Sequence, residues 1–443
     1  MKVIVVGGVA GGMTTASQLI RIDSNTEIHV FEKGPHISFA NCGLPYYLSR
    51  EVESRSKLLE RTPLDMEKRG IHVHVDHEVI HVDTDKKTVD VKVLDTGVIK
   101  SVSYDKLVLS PGGKSVILDS LKNVPQSFVL QQLHQLDSIE SYIEAHNVKE
   151  VVVVGTGFIG LEVTENFVRR GFKVTVIQHN DNVYSPLETD MKDFMYESFK
   201  VQGVDLKLNS EIVKVVGDKA ILKSGEEISA PLIIVAVGIK PNTGFLEGSN
   251  VSLEHGYIPV NEFGETSVKD VYALGDAILT HYAHVPEKPV SVALAWPAHR
   301  LAFVIAKHIS GSTEFKHDGL LGTSIVEFFG YTIAQVGLSM KDLDEDTKYI
   351  DHTQGNIARY MKNVENIQAR VYYDDSGKIL RGVFVGKNGV DKRLNTLAAF
   401  MRTDGNIKNL IHIEIGYAPP YGTTKDLLNM IGYKAIEKMT TPD

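Results

Sequence analysis

The chain has 443 residues, which is too long for one hydrophobic core and predicts two or three domains. Its composition of 43% hydrophobic and 23% charged residues is typical of a globular protein, and the formal net charge of −9 argues against a general nucleic-acid binder, which would present a basic surface. Because no apolar run reaches the roughly 20 residues that cross a bilayer, we expect no membrane partner either.

The chain begins with the pattern of a strand, a glycine turn, a helix and a second strand. Met1 to Val6 predicts a short buried strand, Gly7 to Gly12 is the turn, and Glu27 to Phe31 predicts the next strand. In such a unit a pyrophosphate binds at the helix N-terminus, and an acid about 20 residues after the glycines binds a ribose hydroxyl. Val9 takes the place of the middle glycine, so a purely structural turn stays open. The predicted cofactor-binding residues are Gly7, Gly8, Val9, Ala10, Gly11, Gly12, Glu32 and Lys33.

The only cysteine of the chain, Cys42, follows in Ser38-Phe-Ala-Asn-Cys-Gly-Leu-Pro-Tyr46. A single thiol beside a dinucleotide site predicts redox chemistry at sulfur, and any disulfide must form with another molecule. The alternative is a small buried hydrophobic residue. We expect a flavin, a helix N-terminus or nearby cations to lower the pKa of this thiol. One free cysteine also fits the reducing cytoplasm, where we place the protein.

The next hundred residues predict less regular structure. Arg50 to Arg69 is a charged stretch with helical character, and Ile71 to Leu94 alternates as strands do. Tyr104 to Gly113 predicts a strand that leaves through a turn at Gly112, a further cofactor-binding candidate. The first segment of the first domain is therefore predicted to end near residue 115.

A second glycine turn lies between another predicted strand and helix. Glu150 to Val154 is the strand, and Gly155-Thr-Gly157-Phe-Ile-Gly160 matches G-x-G-x-x-G in full. This context predicts a second dinucleotide site. Gln178-His179 stands where an acid would bind the ribose of NAD, and an acid there would repel a 2′-phosphate. We therefore expect NADPH, with NADH as the alternative.

The rest of the chain predicts further strands and, from about residue 323, a different pattern of secondary structure. Leu232 to Val237 is a buried strand that ends at Gly238, and Val271-Tyr-Ala-Leu is another that ends at Gly275-Asp276-Ala277. From about residue 323 alternating strands are followed by a helix near Asp391 to Met401, which predicts a third domain. The four residues Gly238, Gly275, Asp276 and Ala277 complete the cofactor-binding candidates. No metal-binding motif is evident.

These features resemble the flavin-dependent pyridine nucleotide–disulfide oxidoreductases. The resemblance rests on the two glycine turns, on Leu109-Ser-Pro-Gly112 and on Val271 to Asp276, and it covers essentially the whole chain. It implies an α/β fold with two Rossmann-like dinucleotide-binding domains and a C-terminal α+β dimerisation domain. The implied domains are FAD-binding (1–115 and 250–322), NAD(P)H-binding (116–249) and dimerisation (323–443).

Within that superfamily the Cys42 segment resembles the branch with one redox cysteine, which contains NADH oxidases, NADH peroxidases and coenzyme A-disulfide reductases. Oxidases and peroxidases usually have a histidine where this chain has Ala10. The segments Thr353 to Tyr360 and Tyr417 to Tyr421 are similar to coenzyme A-disulfide reductases. That likeness implies reduction of coenzyme A disulfide by NADPH through FAD and a Cys42–coenzyme A mixed disulfide.

The resemblance also implies residue roles. Tyr360 and Tyr417 would reach from the partner subunit of a homodimer and act on the leaving coenzyme A thiolate, and Asp276 would hold the ribityl chain of the flavin. The implied coenzyme A contacts are Thr14, Gln18, Arg21, Ser38, Asn41, His299 and Lys425, with a further basic contact at Arg69 or the adjacent Lys68.

Three other functions remain open. An oxidase or peroxidase would use a Cys42 sulfenic acid, but Ala10 argues against it. A persulfide or polysulfide reductase would use the same sulfur chemistry. A non-enzymatic redox flavoprotein would leave Cys42 and both tyrosines without a role.

Overall fold

The computed structural model of the protein describes residues 1–440 and divides into two compact units. Unit 1 contains residues 1–181, 203–280 and 291–318, and unit 2 contains residues 182–202, 281–290 and 319–443. The three-domain division expected from the sequence stays a prediction, and its last residues, 441–443, lie outside the described part. The helices are α1 (Ala10–Ile22), α2 (Leu44–Leu48), α3 (Pro63–Glu67), α4 (Leu133–His146), α5 (Phe158–Arg169), α6 (Asp193–Val201), α7 (Ala295–Ile309), α8 (Val390–Arg402) and α9 (Leu427–Thr440).

The strands are short, with two to eight residues each. Up to the second glycine turn they are β1 (Lys2–Val6), β2 (Glu27–Phe31), β3 (Ile71–His74), β4 (His77–Asp83), β5 (Thr88–Val93), β6 (Ile99–Ser103), β7 (Lys106–Leu109), β8 (Gly113–Ser115), β9 (Ser127–Phe128) and β10 (Glu150–Val154). After it come β11 (Lys173–Ile177), β12 (Asp205–Lys207), β13 (Ile212–Val216), β14 (Lys219–Leu222), β15 (Glu227–Ser229), β16 (Ile233–Val235), β17 (Ile239–Pro241), β18 (Ile258–Pro259), β19 (Val271–Ala273), β20 (Ile278–His281) and β21 (Pro289–Val290). The remaining strands are β22 (Ser324–Phe328), β23 (Tyr331–Gly337), β24 (Lys348–Gly355), β25 (Asn366–Tyr373) and β26 (Ile379–Gly386).

Unit 1 contains two parallel five-stranded sheets with the same plan. The first has the order β19-β7-β1-β2-β3, and the second has the order β12-β11-β10-β16-β9. The central strands β1 and β10 are almost wholly buried, because helices cover both faces of a parallel sheet. Each central strand leads through a glycine turn into a helix, α1 or α5, and then into the neighbouring strand. The predicted α/β fold with two Rossmann-like halves is confirmed.

Unit 2 is an antiparallel sheet with helices. Its strand order is β22-β23-β26-β25-β24, and apolar residues of α8 and α9 share a core with that sheet. Helix α6 also belongs to this unit, since the rings of Phe199 and Phe328 lie 4.9 Å apart. Two ion pairs are fully buried here, Arg381 with Glu188 at 2.9 Å and Arg393 with Asp426 at 2.7 Å. Removing one partner of such a pair leaves a buried charge and is strongly destabilising.

The helical character expected for Arg50 to Arg69 is wrong for most of that stretch. Residues 55–58 form one 3₁₀ turn, and α3 begins anew after Thr62, whose side chain forms a capping box with Asp65. The chain between them is extended because it pairs with the cysteine segment, where Ala40 N donates to Leu58 O at 2.8 Å. A long-range backbone contact therefore overrides the local helical preference.

Four histidines lie close together where β2, β3 and β4 meet. His29 Nδ1 and His74 Nε2 are 3.1 Å apart, and the ring of His74 also lies 5.5 Å from that of His77. Burial, together with the neighbouring histidines His29, His77 and His72, lowers the pKa of His74 from 6.5 to about 4. Between pH 6.5 and 4, His74 is therefore protonated in the unfolded chain but mostly neutral in the folded chain.

The stability of the protein should fall as the pH is lowered from 6.5 to 4, because in this window only the unfolded state protonates His74. His74→Gln should reduce that loss by roughly 1–2 kcal/mol, after allowance for partial solvent exposure. Urea unfolding at several pH values measures the effect, with the exposed His134→Gln as the control. Equal slopes for the wild type and His74→Gln would contradict the assignment.

Candidate functional site

The first glycine turn is held by contacts that only glycine permits. Gly7 has a φ of +96°, and a Cβ there would lie 2.0 Å from Ser110 O. A Cβ on Gly12 would lie 1.9 Å from Gly7 O. Val9 directly precedes α1, and Ala10 is its first residue. The unpaired backbone N–H groups of the helix N-terminus therefore lie at the glycine turn. The arrangement fits the pyrophosphate of a dinucleotide.

Glu32 holds this turn through both of its carboxylate oxygens. Oε2 accepts a hydrogen bond from Gly8 N and Oε1 accepts one from Gly34 N, each at 2.7 Å. The side chain is only 7% exposed, and burial raises its pKa. The predicted ribose ligand therefore also supports the turn beside it. Lys33, in contrast, is exposed and paired with Glu78 at 2.7 Å.

The second glycine turn repeats the same geometry. A Cβ on Gly155 would lie 2.5 Å from Ala236 O, and one on Gly160 would lie 2.1 Å from Gly155 O. Gly157 directly precedes α5, as Val9 precedes α1, and a Cβ there would meet nothing within 4 Å. The outer glycines are thus required by the turn itself, whereas the middle one leaves open space for a ligand.

The remaining cofactor candidates lie at similar openings of unit 1. Gly112 and Gly238 have φ values of +62° and +112°, and a Cβ on either would meet nothing within 4 Å. Gly275, Asp276 and Ala277 form a 3₁₀ turn, and burial raises the pKa of Asp276. Such an acid, in a turn after a parallel strand, fits a hydroxyl-rich ligand.

The first two residues after β11, Gln178 and His179, carry no carboxylate. Gln178 is buried and its Nε2 donates to Asn180 Oδ1 at 2.7 Å, whereas His179 is exposed. Lys207, opposite Ile177 on the next strand, is paired with Glu226 at 2.9 Å and Asp205 at 3.3 Å. His179 is therefore the exposed candidate donor at this end of the sheet.

The cysteine segment is tied to the first glycine turn by the backbone. Ser38 has a φ of +45°, and its N donates to Gly8 O at 2.9 Å. The chain then pairs with residues 58 and 59 and enters a 3₁₀ turn, Asn41–Gly43, in which Cys42 is exposed. The thiol is thus accessible and lies at a place set by the turn.

The short helix after Cys42 is attached to α5. Tyr46 OH donates to Glu162 Oε1 at 3.4 Å, and Ser49 Oγ donates to Asn166 Oδ1 at 2.6 Å. Asn166 in turn donates from Nδ2 to Glu162 O at 2.8 Å. The helix of the second glycine turn therefore lies against the cysteine helix α2.

The charges near Cys42 are carboxylates. Although Cys42 keeps access to solvent, partial desolvation by the surrounding protein, and then the charges of Glu162 and Asp276, raise the pKa of its thiol. The net shift is thus opposite to the lowering expected from protein cations, although the backbone hydrogen bond at Cys42 lowers the pKa; α2 has only five residues. Burial also raises the pKa of Glu162 to about 7, while the hydrogen bond from Tyr46 opposes that shift.

Several of the predicted coenzyme A contacts come together on α1 and its surroundings. A hydrogen bond of 2.7 Å joins Thr14 Oγ1 and His299 Nδ1, which links α1 to α7. A cavity of about 300 Å³ is lined by Ser17, Ile20, Arg21 and Arg69. Two guanidinium groups thus share one depression. Gln18 is partly exposed on α1, and Asn41 is exposed beside Cys42.

The two predicted catalytic tyrosines lie together in unit 2. Tyr360 OH and Tyr417 OH are 3.5 Å apart, and the residues are 71% and 46% exposed. Their segments are joined where Ala358 N donates to Pro419 O at 3.1 Å. Lys425 is exposed, with its ammonium 5.1 Å from the ring centre of Tyr433. Cys42 belongs to unit 1 and the tyrosine pair to unit 2.

Sequence reasoning missed Tyr46 and Glu162. Both residues stand inside the motifs that were recognised, Glu162 two positions after Gly160 and Tyr46 four positions after Cys42. A carboxylate in the second turn of a nucleotide-binding helix was the available signal, since an anion near the helix N-terminus would oppose a phosphate. Their pairing is a contact across 116 positions that no local pattern encodes.

Two searches of the described residues, for membrane-spanning helices and for metal sites, gave negative results. No helix within residues 1–440 is long and apolar enough to cross a membrane. The same residues contain no group of three or more His, Cys, Asp or Glu side chains placed to hold a metal ion.

Comparison with known proteins finds one family and close relatives. The family model described as pyridine nucleotide-disulphide oxidoreductase matches residues 1–298. Coenzyme A disulfide reductase from Staphylococcus aureus (strain bovine RF122 / ET3-1) is 42% identical over 438 residues, which cover 98% of this chain and 99% of that protein. The solved structure of reduced Bacillus anthracis CoADR-RHD has a TM-score of 0.95 and 34% identity, covering 99% of this chain and 80% of that one. The solved structure of a NAD-dependent persulfide reductase from A. fulgidus has a TM-score of 0.93 and 27% identity, and the match covers 99% of this chain and 83% of that one.

The second glycine turn makes a matched pair of substitutions possible. Gly160→Ala should lower the apparent Tm by several degrees, because its methyl group would meet Gly155 O at 2.1 Å. Gly157→Ala should leave Tm unchanged but raise the KM for the pyridine nucleotide about tenfold, because its methyl group enters the space that a pyrophosphate needs. Thermal unfolding and initial rates separate the two effects. Equal behaviour of the two variants would contradict the distinction.

Proposed function

The chain belongs to the pyridine nucleotide-disulphide oxidoreductase family, and on this basis we propose that it reduces coenzyme A disulfide to two coenzyme A thiols with NADPH. Electrons would pass through FAD to the single Cys42. The family implies FAD and a pyridine nucleotide, and the relatives named coenzyme A disulfide reductase support the substrate.

The observation that carries the proposal is the position of Cys42. It is the only cysteine of the chain, it is exposed, and its segment is hydrogen-bonded to the first glycine turn through Ser38 N and Gly8 O at 2.9 Å. A thiol without a partner cysteine can only form a disulfide with another molecule. A substrate that is itself a thiol carrier fits this constraint.

The chemistry balances with Cys42 as the only protein thiol. Its thiolate attacks one sulfur of coenzyme A disulfide, forms a mixed disulfide and releases one coenzyme A thiolate, which takes a proton. When bound, FAD would supply the two electrons, taken from the nicotinamide, that break this mixed disulfide. One NADPH, one proton and one disulfide thus yield NADP⁺ and two thiols.

The cavity on α1 supports a substrate that carries phosphates. Arg21 and Arg69 line it together with Ser17, and guanidinium groups bind phosphate oxygens well. Thr14 lies on the same helix α1, and it is hydrogen-bonded at 2.7 Å to His299 of the neighbouring helix α7. We assign Arg69, rather than the adjacent Lys68, as the basic contact because Arg69 lines the cavity.

The tyrosine pair supports a homodimer. Tyr360 and Tyr417 expose large aromatic surfaces and lie with their hydroxyls 3.5 Å apart. We infer that a second copy of the chain brings this pair to the sulfur, where a phenol can donate a proton to the departing thiolate. Lys425 would contribute from the same side.

The end of β11 supports NADPH over NADH. Gln178 and His179 present no carboxylate to repel a 2′-phosphate, and the exposed His179 can donate a hydrogen bond to it. Running the assay below with each nucleotide tests this choice. A higher kcat/KM for NADH would overturn it.

A second candidate function is persulfide reduction. The similar structure of a NAD-dependent persulfide reductase from A. fulgidus favours it as the alternative. Reduction of a persulfide needs the same accessible thiol, so the geometry of Cys42 suits both. Oxygen or peroxide chemistry is less favoured, because Ala10 places only a methyl group at the start of α1.

The first experiment is an anaerobic assay of the purified protein with NADPH and coenzyme A disulfide as the only acceptor. We expect two thiols for each NADPH oxidised. Cys42→Ser should abolish turnover and leave bound flavin unchanged, because the serine hydroxyl cannot form the mixed disulfide. Full activity of that variant would end the proposal. Turnover only with a persulfide, or only after air is admitted, would move the protein to one of the alternatives.

Replacing Tyr360 and Tyr417 together by Phe should slow the disulfide step about 100-fold, because the proton donor to the leaving thiolate is lost. The rate of nicotinamide oxidation in a single turnover should not change. Tyr421→Phe is the control, since Tyr421 is 68% exposed in the same segment and has no assigned role. Slower nicotinamide oxidation in the double variant would show that the tyrosine roles are wrong.

A further inference from the structure

The short helix α2 ends in a backbone conformation that its sequence does not favour. Ser49 is the C-cap of α2, and the next residue, Arg50, has a φ of +69°. Helices that end in this left-handed conformation usually have glycine or asparagine there, because a Cβ is strained in it. The N–H of Arg50 donates to Tyr47 O at 3.0 Å and so closes the helix. Backbone strain of this kind persists only where other contacts of the residue maintain it.

The side chain of Arg50 makes those contacts. Its guanidinium carbon lies 4.7 Å from the centre of the Tyr47 ring, and its Nη2 donates to Glu140 Oε2 at 2.6 Å. The first contact orders the side chain along α2, and the second joins α2 to α4. A glycine would suit the backbone at this position, but it could make neither contact.

Glu140 also joins α4 to the end of α5. Arg170, directly after α5, donates to Glu140 Oε1 from Nη1 at 2.7 Å and to Oε2 from Nη2 at 3.0 Å. The Glu140 side chain is only 12% exposed. Isolated surface ion pairs contribute little to stability, whereas networks and two-pronged contacts between arginine and carboxylate contribute more. One carboxylate therefore fixes the ends of α2 and α5 to α4.

A second pair of the same kind lies one helical turn earlier on α4. Arg55 donates to Asp137 Oδ1 from Nε at 2.6 Å and to Oδ2 from Nη2 at 2.7 Å. Residues three apart share one face of a helix, so Asp137 and Glu140 both face the segment 50–55. That segment belongs to the half of unit 1 with the first glycine turn, because it connects β2 to β3. Helix α4 connects β9 to β10 and belongs to the half with the second turn.

We propose that Arg50 is a positioning residue that fixes the cysteine helix α2 to the half of unit 1 with the second glycine turn, and that its strained backbone is retained for this contact. The inference deepens the proposed function, since it rests on electrons passing from a nucleotide at the second turn towards Cys42. Helix α2 begins two residues after Cys42, and α5 begins directly after Gly157 of that turn. A hydride passes only between groups held at a short and fixed distance, so a looser α2 slows the transfer.

The variant Arg50→Gly separates positioning from stability. It loses the guanidinium group but relieves the strained backbone, so we expect its Tm to stay within about 2 °C of the wild type. The single-turnover oxidation of NADPH by the FAD-loaded protein should slow about tenfold, because α2 is no longer fixed to α4. Arg50→Lys keeps the positive charge and should recover part of this loss. A lower Tm with an unchanged rate of NADPH oxidation would show a merely structural role and overturn the proposal.

Hydrogen–deuterium exchange tests the attachment of α2 without any turnover. In the FAD-loaded protein without nucleotide, the amides of residues 44–49 should exchange roughly three- to tenfold faster in Arg50→Gly than in the wild type, because their helix has lost its contact with α4. The amides of β10, which is almost wholly buried, should exchange at the wild-type rate. Equal exchange of residues 44–49 in the two proteins would also overturn the proposal.

A matched control is Lys57→Gln. Lys57 follows the segment 50–55 closely, and its ammonium pairs with Glu53 at 2.5 Å, so this variant removes a nearby cation without changing a contact with α4. It should match the wild type in NADPH oxidation and in exchange. Slowing equal to that of Arg50→Gly would show a general charge effect and contradict the assignment.

Neither measurement uses coenzyme A disulfide, so the two proposals fail separately. A wild type that oxidises NADPH in a single turnover but does not reduce the disulfide would refute the proposed function. The comparison of Arg50→Gly with the wild type would still decide the role of Arg50.

Discussion

The peptide group of Gly8 connects the three parts of the candidate site. Its N–H donates to the buried Glu32 carboxylate at 2.7 Å, and its carbonyl accepts from Ser38 N at 2.9 Å. The first bond ties the glycine turn to the end of β2, and the second ties it to the segment that carries Cys42. A buried polar group that loses its partner costs about 1–3 kcal/mol, so both the nucleotide turn and the thiol depend on this one peptide.

The site separates two kinds of charge. Around Cys42 the charges that act on the thiol come from Glu162 and Asp276, and they oppose a second anion. The basic groups Arg21 and Arg69 instead line a cavity at α1, where phosphates of a nucleotide substrate would be bound. Under the proposed function, substrate affinity and sulfur reactivity would therefore depend on different residues. This separation explains why the reactive thiol can lie in an acidic setting within a protein that is proposed to bind an anionic substrate.

The parts of the fold that were predicted correctly are those with local signals. The strand, glycine turn and helix at 1–22 and at 150–169 follow from apolar runs and glycine spacing, and the structure shows why the glycines are needed: an added Cβ would lie 1.9 Å from a carbonyl oxygen at Gly12 and 2.1 Å from one at Gly160. The stretch from Arg50 to Arg69 was wrong because Leu58 and Leu59 pair with residues far away in sequence. Helix α6 clusters with unit 2 through contacts such as Phe199 with Phe328, which no spacing in the sequence reveals.

By itself the sequence determined the two glycine turns, the single cysteine and the family resemblance, because glycine spacing and the number of cysteines can be counted along the chain. Only the tertiary structure decided which charges act on that sulfur. Tyr46 and Glu162 are 116 positions apart and are hydrogen-bonded because α2 lies against α5, and Arg21 and Arg69 line one cavity although they are far apart in sequence. The pKa of a thiol depends on burial and on charges within a few ångströms, and these are properties of the packed chain.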